Sequence, residues 1–279
     1  MKFSIITINY NNLKGLEYTY ESVRTQSLSD YEWIIIDGAS IDGSREFIEK
    51  HTDEIAYWVS EPDKGVYNAM NKGIRVATGE YAIFMNSGDR FHSPVVLEEF
   101  SGITADMAAG YTDCVILGKL VKRLTVPPIM TAKQIIAFGV NHQSVFVRTQ
   151  LLQKRLYDEN LRYVSDYKFF LQILLEDNCS YQALPTIVAD YDYSGMTSLE
   201  ENLKAQNQER TMVLREILPP RIYTDYRNWI EGTTKLQKVL NQINEDSISY
   251  RLITFCAVFI RSIQTSFAQI KYKFINPNA

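Results

Sequence analysis

The sequence is short of the residues that mark several large function classes. Cysteine occurs three times in 279 residues, at Cys114, Cys179 and Cys256. These lie far apart among mostly apolar neighbours, so neither a disulfide framework nor a metal knuckle is indicated, and a reducing compartment is expected. Histidine is equally scarce, and His51 and His92 have no partner at metal-ligand spacing. Neither G-x-G-x-x-G nor G-x-x-x-x-G-K-[ST] occurs, which argues against dinucleotide-binding and P-loop ways of holding phosphate. A basic excess is missing too: 29 Lys and Arg stand against 33 Asp and Glu, a net charge of −4, and no nucleic-acid partner is expected. Only Lys2 precedes a strand pattern at Phe3, without the apolar core of a signal peptide, so a cytoplasmic protein is expected.

What is present reads as a globular α/β protein. Hydrophobic residues make up 46% and charged residues 22%, too apolar for disorder and enough for a sizeable core. Phe3–Ile8 and Glu32–Asp37 are rich in β-branched residues, and Ile55–Ser60 and Tyr81–Met85 follow as further strands. Between them lie helical patterns. The first is capped by Asn12 and carries Leu16, Tyr20 and Val23. The second runs over Arg45–His51, and the third over Val66–Ala77 with Val66, Met70, Ile74 and Ala77 on one face. Strand and helix alternating in this way predict a doubly wound, mostly parallel sheet. After Pro94 the rhythm changes. Asp106–Tyr111 and Cys114–Val121 are two strand-like runs too close for a helical crossover, so an antiparallel part and a mixed sheet are expected. A helix over Thr131–Phe138, a strand over Ser144–Arg148, an apolar helix over Tyr167–Glu176 and a closing strand over Thr186–Asp190 complete this region. A boundary near Leu199 separates residues 1–198 from a helical extension, 199–279.

The chemistry gathers at strand ends. Asp37, Asp63 and Asp89 sit in the turns after three of the first four strands, where ligands collect in open parallel sheets. Clustered acids in a cleft repel one another and are more easily explained by ligands than by packing. The turn Asn86-Ser87-Gly88-Asp89 fits two uses, a solvated Asx turn or a tight turn that presents Asp89 to a divalent cation, Mg²⁺ or Mn²⁺. Ser165-Asp166 likewise fits a plain helix cap or a functional carboxylate. His142-Gln143 precedes a strand and is either structural or a ligand-facing pair, and Tyr191 and Tyr193 lie at a strand end.

These segments together resemble a family 2 glycosyltransferase of the GT-A fold. The residues that carry the resemblance are SIITINYNN, IIIDGASIDGS, SEPDKGVYNAMNKGI and FMNSGD, spanning positions 4 to 89, with a weaker continuation through NHQSVFVR and SDYKFFLQIL to GMTS. The resemblance implies an inverting transfer from a UDP-sugar donor to a saccharide or lipid-linked acceptor in cell-surface polysaccharide biosynthesis. Asp37 would bind the uracil, Thr7, Asn9 and Tyr10 would line the nucleoside pocket, and Asp63 would touch the base or ribose. Asp89 would hold the metal as the last acid of the family's D-x-D motif, Asn86 standing where its first acid belongs. Asp166 matches the family's catalytic base, and His142 and Gln143 fall to the sugar or acceptor.

Two other readings are weaker. A sugar-phosphate nucleotidyltransferase needs a Gly-rich basic loop near the N-terminus, and Asn9–Lys14 does not supply one. A non-catalytic sugar-nucleotide-binding or scaffold protein of the same fold is favoured only by Asn86. The extension ends in one continuous apolar face at Ile248, Leu252, Phe255, Phe259, Ile263, Phe267, Ile270 and Phe274, with Arg251, Arg261, Lys271 and Lys273 as its charges. Its longest charge-free run, Leu252–Ile260, is far short of the ~20 residues that span a bilayer. The segment 248–274 thus suits a peripheral contact with the inner membrane surface, or docking on the main domain or a second copy of the chain.

Overall fold

The computed structural model describes residues 1–193 and 200–228. Branched apolar residues buried on both faces build the centre of its sheet. Phe3–Asn9 (β1) pairs in parallel with Tyr31–Asp37 (β2) from Phe3↔Tyr31 to Asn9↔Asp37, so the two strands end level. Tyr57–Ser60 (β3) continues the parallel sheet beyond β2, and Tyr81–Phe84 (β4) flanks β1 on its other side. The crossovers are α1 (Leu13–Arg24), α2 (Ser44–Lys50) and α3 (Val66–Val76). Asn12 caps α1 as expected, its side chain accepting from Gly15 N at 3.2 Å. Helix α3 buries Tyr67, Met70 and Ile74, whereas Val66 is exposed. Gly73 lets α3 lie against β1, for a Cβ there would stand 2.5 Å from Ile6 Cγ2.

The second half is antiparallel where the sequence predicts it, with different bounds. The expected runs divide differently: Asp106–Tyr111 and the start of Cys114–Val121 form one strand, Met107–Ile116 (β6), and the rest of the second run crosses a turn at Leu117-Gly118, both at positive φ, into Lys119–Leu124 (β7). Polar Thr112 and Asp113 interrupt the apolar pattern because Thr112 bonds Ser144 at 2.6 Å and Asp113 meets Arg123. The closing strand is longer than expected, Tyr181–Asp192 (β9), and runs parallel to β6. A two-residue strand, Arg90–Phe91 (β5), and helices Val96–Glu99 (α4), Ala132–Phe138 (α5) and Thr149–Arg155 (α6) lie around Val145–Arg148 (β8). The strand order is β3-β2-β1-β4-β8-β6-β9-β5, with β7 on β6. Phe146 joins the two halves, stacking on Phe100 at 4.5 Å and touching Phe3 at 5.2 Å. Each such buried ring contributes roughly 1.5–3 kcal/mol.

Helix α7 (Ser165–Leu171) opens at the predicted Ser165-Asp166 and widens into a π-helical turn, Gln172–Glu176. The compact unit holding the sheet runs to Ile217 and so includes α8 (Leu203–Ile217), past the boundary read at Leu199. Residues 218–228 belong to a second unit, of which 220–228 are helical. Cys256, the Gly195–Ser198 segment and the apolar face over 248–274 lie outside the described residues. Among those described, no helix is long and apolar enough to cross a membrane.

Candidate active site

The level strand ends leave a cavity of about 590 Å³ lined by Ile8, Asn9, Tyr10, Gly38, Pro62, Asp63, Gly65, Val66, Ala69 and Asn86. Four of the expected site residues, Asn9, Tyr10, Asp63 and Asn86, are thus brought together. Two glycines shape the opening. A Cβ on Gly38 would stand 3.0 Å from the Tyr10 ring and 3.1 Å from Asp63 Oδ2, and Gly65 starts α3 at φ +117, a conformation that side chains resist. Tyr10 is 68% exposed at the rim, a free aromatic face beside an acceptor, which suits a planar heterocycle. Asp63 is bonded to Lys72 at 2.5 Å, and Lys72 also reaches Glu61 at 2.8 Å.

Asp37 and Thr7 stand behind this wall rather than in it. Asp37 is fully buried, and its carboxylate accepts four bonds: Asn9 Nδ2 at 2.7 Å and Ser40 Oγ at 2.5 Å on Oδ1, Ser40 N at 2.9 Å and Ser60 Oγ at 2.6 Å on Oδ2. It ties the ends of β1, β2 and β3 together. Thr7 is also fully buried, donating to the Met85 carbonyl at 2.8 Å and accepting from Trp33 Nε1 at 2.9 Å. The two serines that complete the Asp37 network are too common in turns to single out from sequence.

From Asn86 at the cavity wall, a chain of hydrogen bonds runs through His142 to Asp166. Tyr67 Oη donates to Oδ1 at 2.9 Å, and His142 Nδ1 lies 3.1 Å from Oδ2. Burial pushes this carboxyl up, but the hydrogen bonds from His142, the Tyr67 hydroxyl and the Tyr167 backbone outweigh it and hold Asp166 below its ordinary value. An ionised Asp166 only accepts, so His142 Nδ1 carries the hydrogen. Its Nε2 can then accept from Asn86 Nδ2, 3.4 Å away. An aspartate at position 86 could not make that donation. The carboxylate side chain is 19% exposed, so free lone pairs remain reachable. Burial and the Asp166 charge raise the Tyr67 hydroxyl well above its ordinary value, so it stays a donor. Tyr67 was missed in the sequence; its place in the first turn of α3 carries no signal, because its partner is 99 residues away.

The turn after β4 faces inward as well as outward. Gly88, at φ +104, reverses the chain. Asp89 is then 4% exposed and does not line the cavity. Its Oδ1 accepts from Asp192 N at 3.0 Å, and it bonds the Gln143 side chain. Burial lifts Asp89 to about 7. Gln143 is 3% exposed and turned toward Asp89, so of the expected His142-Gln143 pair only His142 joins the Asp166 chain. Asn86 Oδ1 and Gln143 Oε1 are buried with no hydrogen-bond partner. With the Asp89 carboxyl these are oxygen donors of the kind that Mg²⁺ and Mn²⁺ take, so the residues present fit such an ion. A second group, His92, Asp113 and Asp190, brings possible ligand atoms within 4.8 Å of one another. Its acids are already paired, Asp190 with Arg90 at 2.6 Å and Asp113 with Arg123 at 2.6 Å. Tyr193 bonds Lys122 at 2.8 Å on the β7 side and stacks edge-on with Tyr191 at 5.9 Å.

Known proteins share this architecture. Residues 4–177 match the profile of Glycosyl transferase family 2. An uncharacterized glycosyltransferase of Mycobacterium tuberculosis is 33% identical over 211 residues, 71% of this chain and 78% of that protein. A PGL/p-HBAD biosynthesis glycosyltransferase of Mycobacterium bovis is 23% identical over 202 residues, 69% and 77% of the two chains. Among solved structures, S. aureus TarS 1–349 in complex with UDP-GlcNAc superposes with a TM-score of 0.65 at 18% identity, covering 83% of this chain and 73% of that one. The mannosyltransferase PcManGT from Pyrobaculum calidifontis, in complex with GDP-Man and Mn²⁺, gives 0.54 at 15% identity, covering 100% and 88%. These likenesses show the GT-A fold. With more than half of its length matching the family profile and a GT-A sheet beneath its strand-end cavity, the chain belongs to glycosyl transferase family 2.

Proposed function

We propose that this glycosyltransferase moves a sugar from a UDP-sugar to a hydroxyl of a saccharide or lipid-linked acceptor, with inversion, in cell-surface polysaccharide assembly. In this reading it works in the cytoplasm, with its tail on the inner membrane surface. The observation that carries the reaction is Asp166, kept ionised by Tyr67 and His142 and joined through His142 to Asn86 at the cavity wall. The uridine would lie between the Tyr10 ring and Asp63 over Gly38. Asp166 would take the proton from the acceptor hydroxyl as its oxygen bonds to the anomeric carbon. The bond from that carbon to the diphosphate breaks on the opposite side, and its electron pair leaves with UDP. A bound Mg²⁺ or Mn²⁺, held by oxygens of Asn86, Asp89 and Gln143, would supply Lewis-acid stabilisation of the negative charge on the diphosphate. His142 and Tyr67 orient the base and keep it charged without touching the sugar.

The test is nucleoside diphosphate release from UDP-glucose, UDP-galactose, UDP-GlcNAc and GDP-mannose with an acceptor panel, wild type against Asp166→Asn. Removing a general base costs about 10²–10⁴ in kcat, while UDP affinity should stay unchanged because Asp166 is not a cavity-lining residue. A variant that keeps more than about a tenth of wild-type turnover would remove Asp166 from the role of base.

A further inference from the structure

A residue outside the strand-end cavity sets one of its walls. Lys72, halfway along α3, sends its ammonium back to the loop that precedes the helix. It donates to Asp63 Oδ1 at 2.5 Å, to Glu61 Oε1 at 2.8 Å and to the Pro62 carbonyl at 3.3 Å. An ammonium carries three protons, and these acceptors take all three. Lys72 therefore has none to offer a ligand, and it does not line the cavity. Burial pulls this ammonium down, but the bonds to Asp63 and Glu61 outweigh it and hold Lys72 above its ordinary value, so the cation persists.

This arrangement fixes the direction of Asp63. The loop leaves the end of β2, where Glu61 N donates to the Asp37 carbonyl at 3.0 Å, and its next groups are drawn to one cation. With Oδ1 held by Lys72, Oδ2 is left over. It accepts no hydrogen bond among the described residues. It lies over Gly38, 3.1 Å from where a Cβ would stand, and the Tyr10 ring is 3.0 Å from the same point. A heterocycle whose face lies on Tyr10 would turn its edge toward this oxygen. Uracil presents a ring N–H at N3, whereas cytosine presents a lone pair there. A carboxylate oxygen attracts the first and repels the second.

We propose that Lys72 is a positioning residue for the donor nucleobase: it holds Asp63 so that Oδ2 alone faces the ligand and selects a base with a ring N–H over one with a lone pair at that place. The proposal rests on the UDP-sugar reading and names the pair of residues that sets its base preference.

The test is calorimetric titration of the full-length protein with UDP and CDP, which share the ribose and the diphosphate. Wild type should prefer UDP by about tenfold or more. Lys72→Met, which keeps the side-chain length and removes the cation, should weaken UDP by about fivefold or more and leave CDP within about twofold. A cation that served only to attract the diphosphate, or only to pack the loop, would weaken both ligands alike, and that result overturns the proposal. Unchanged UDP affinity in Lys72→Met overturns it too. A double-mutant cycle isolates the pair. In an Asp63→Ala background, Lys72→Met should cost UDP affinity no more than about twofold, because Lys72 acts through Asp63; an undiminished loss there again overturns the proposal. GDP and dTDP also carry a ring N–H, at N1 and N3. A wild type that prefers one of them, with the cycle intact on that nucleotide, would remove the UDP reading and leave Lys72 in its role; UDP binding that Lys72→Met does not alter would do the reverse. Absence of binding by every nucleotide would overturn both.

Discussion

Replacing Asp37 by alanine separates a carboxylate that touches a ligand from one that builds the cavity. Asp37 is fully buried and accepts from Asn9 Nδ2, Ser40 N, Ser40 Oγ and Ser60 Oγ. After truncation the two hydroxyls can rotate, and the Asn9 amide keeps Ser40 Oγ at 3.3 Å, but the Ser40 N–H cannot turn away. A hydrogen bond to a charged group is worth about 1.5–3 kcal/mol and a stranded buried donor costs about 1–3 kcal/mol. One of each gives a loss of roughly 2.5–6 kcal/mol. In a domain of this size each kcal/mol lowers the midpoint by about 2–4 °C, so Asp37→Ala should melt roughly 5–24 °C below wild type in differential scanning calorimetry. Asp37→Asn, which keeps the volume and one acceptor, should fall between them. UDP affinity, measured well below the variant's midpoint, should weaken only as far as Asn9 and Gly38 lose their positions. A wild-type melting curve together with abolished nucleotide binding would refute the reasoning, because the carboxylate would then serve the ligand and not the strand ends.

Two further outcomes follow from the same contacts. Tyr67→Phe removes one of the donors that depress Asp166, so its carboxyl rises; because the base must be ionised to work, the acidic limb of the kcat profile should move to higher pH, with kcat at neutral pH lowered by about tenfold or less. Asp89 is raised from 3.8 to about 7 by burial, so the folded state binds its proton more tightly than the unfolded chain does, and the stability that the protonated form contributes is lost as pH rises from about 4 to about 7. Asp89→Asn in chelator-treated protein should therefore stabilise the fold more at pH ~8 than at pH ~5 in urea unfolding, by no more than a few kcal/mol; equal effects at both pH values would show that Asp89 is not buried as a carboxylic acid.

The parallel half was legible because its signals are local. β-Branched runs, the Asn12 cap and the spacing of Leu16, Tyr20 and Val23 all act within one element, and the residues that end β1, β2, β3 and β4 converge wherever such strands lie side by side. The rest depends on partners far along the chain. Asp89 reads as a free turn carboxylate until Gly88 reverses the backbone and β5 pairs with β9, which brings Asp192 N to it. Strand β6 reads as two because its polar middle is explained only by Ser144 and Arg123. Asp37 was identified as a site residue, yet its saturation depends on Ser60, a strand away. The Asp166 chain shows the same limit: the carboxylate stood out in the sequence, while Tyr67 and the direction of the His142 ring required the fold.

Calorimetric titration with UDP, GDP and dTDP, each with and without Mn²⁺, tests the central claim most directly when wild type is set against Gly38→Val. A side chain at position 38 would enter the space between Tyr10 and Asp63. The account predicts Mn²⁺-dependent binding that favours UDP in the wild type and is lost in Gly38→Val at an unchanged melting temperature. Absence of nucleotide binding under every condition, or UDP binding that Gly38→Val leaves intact, would contradict it.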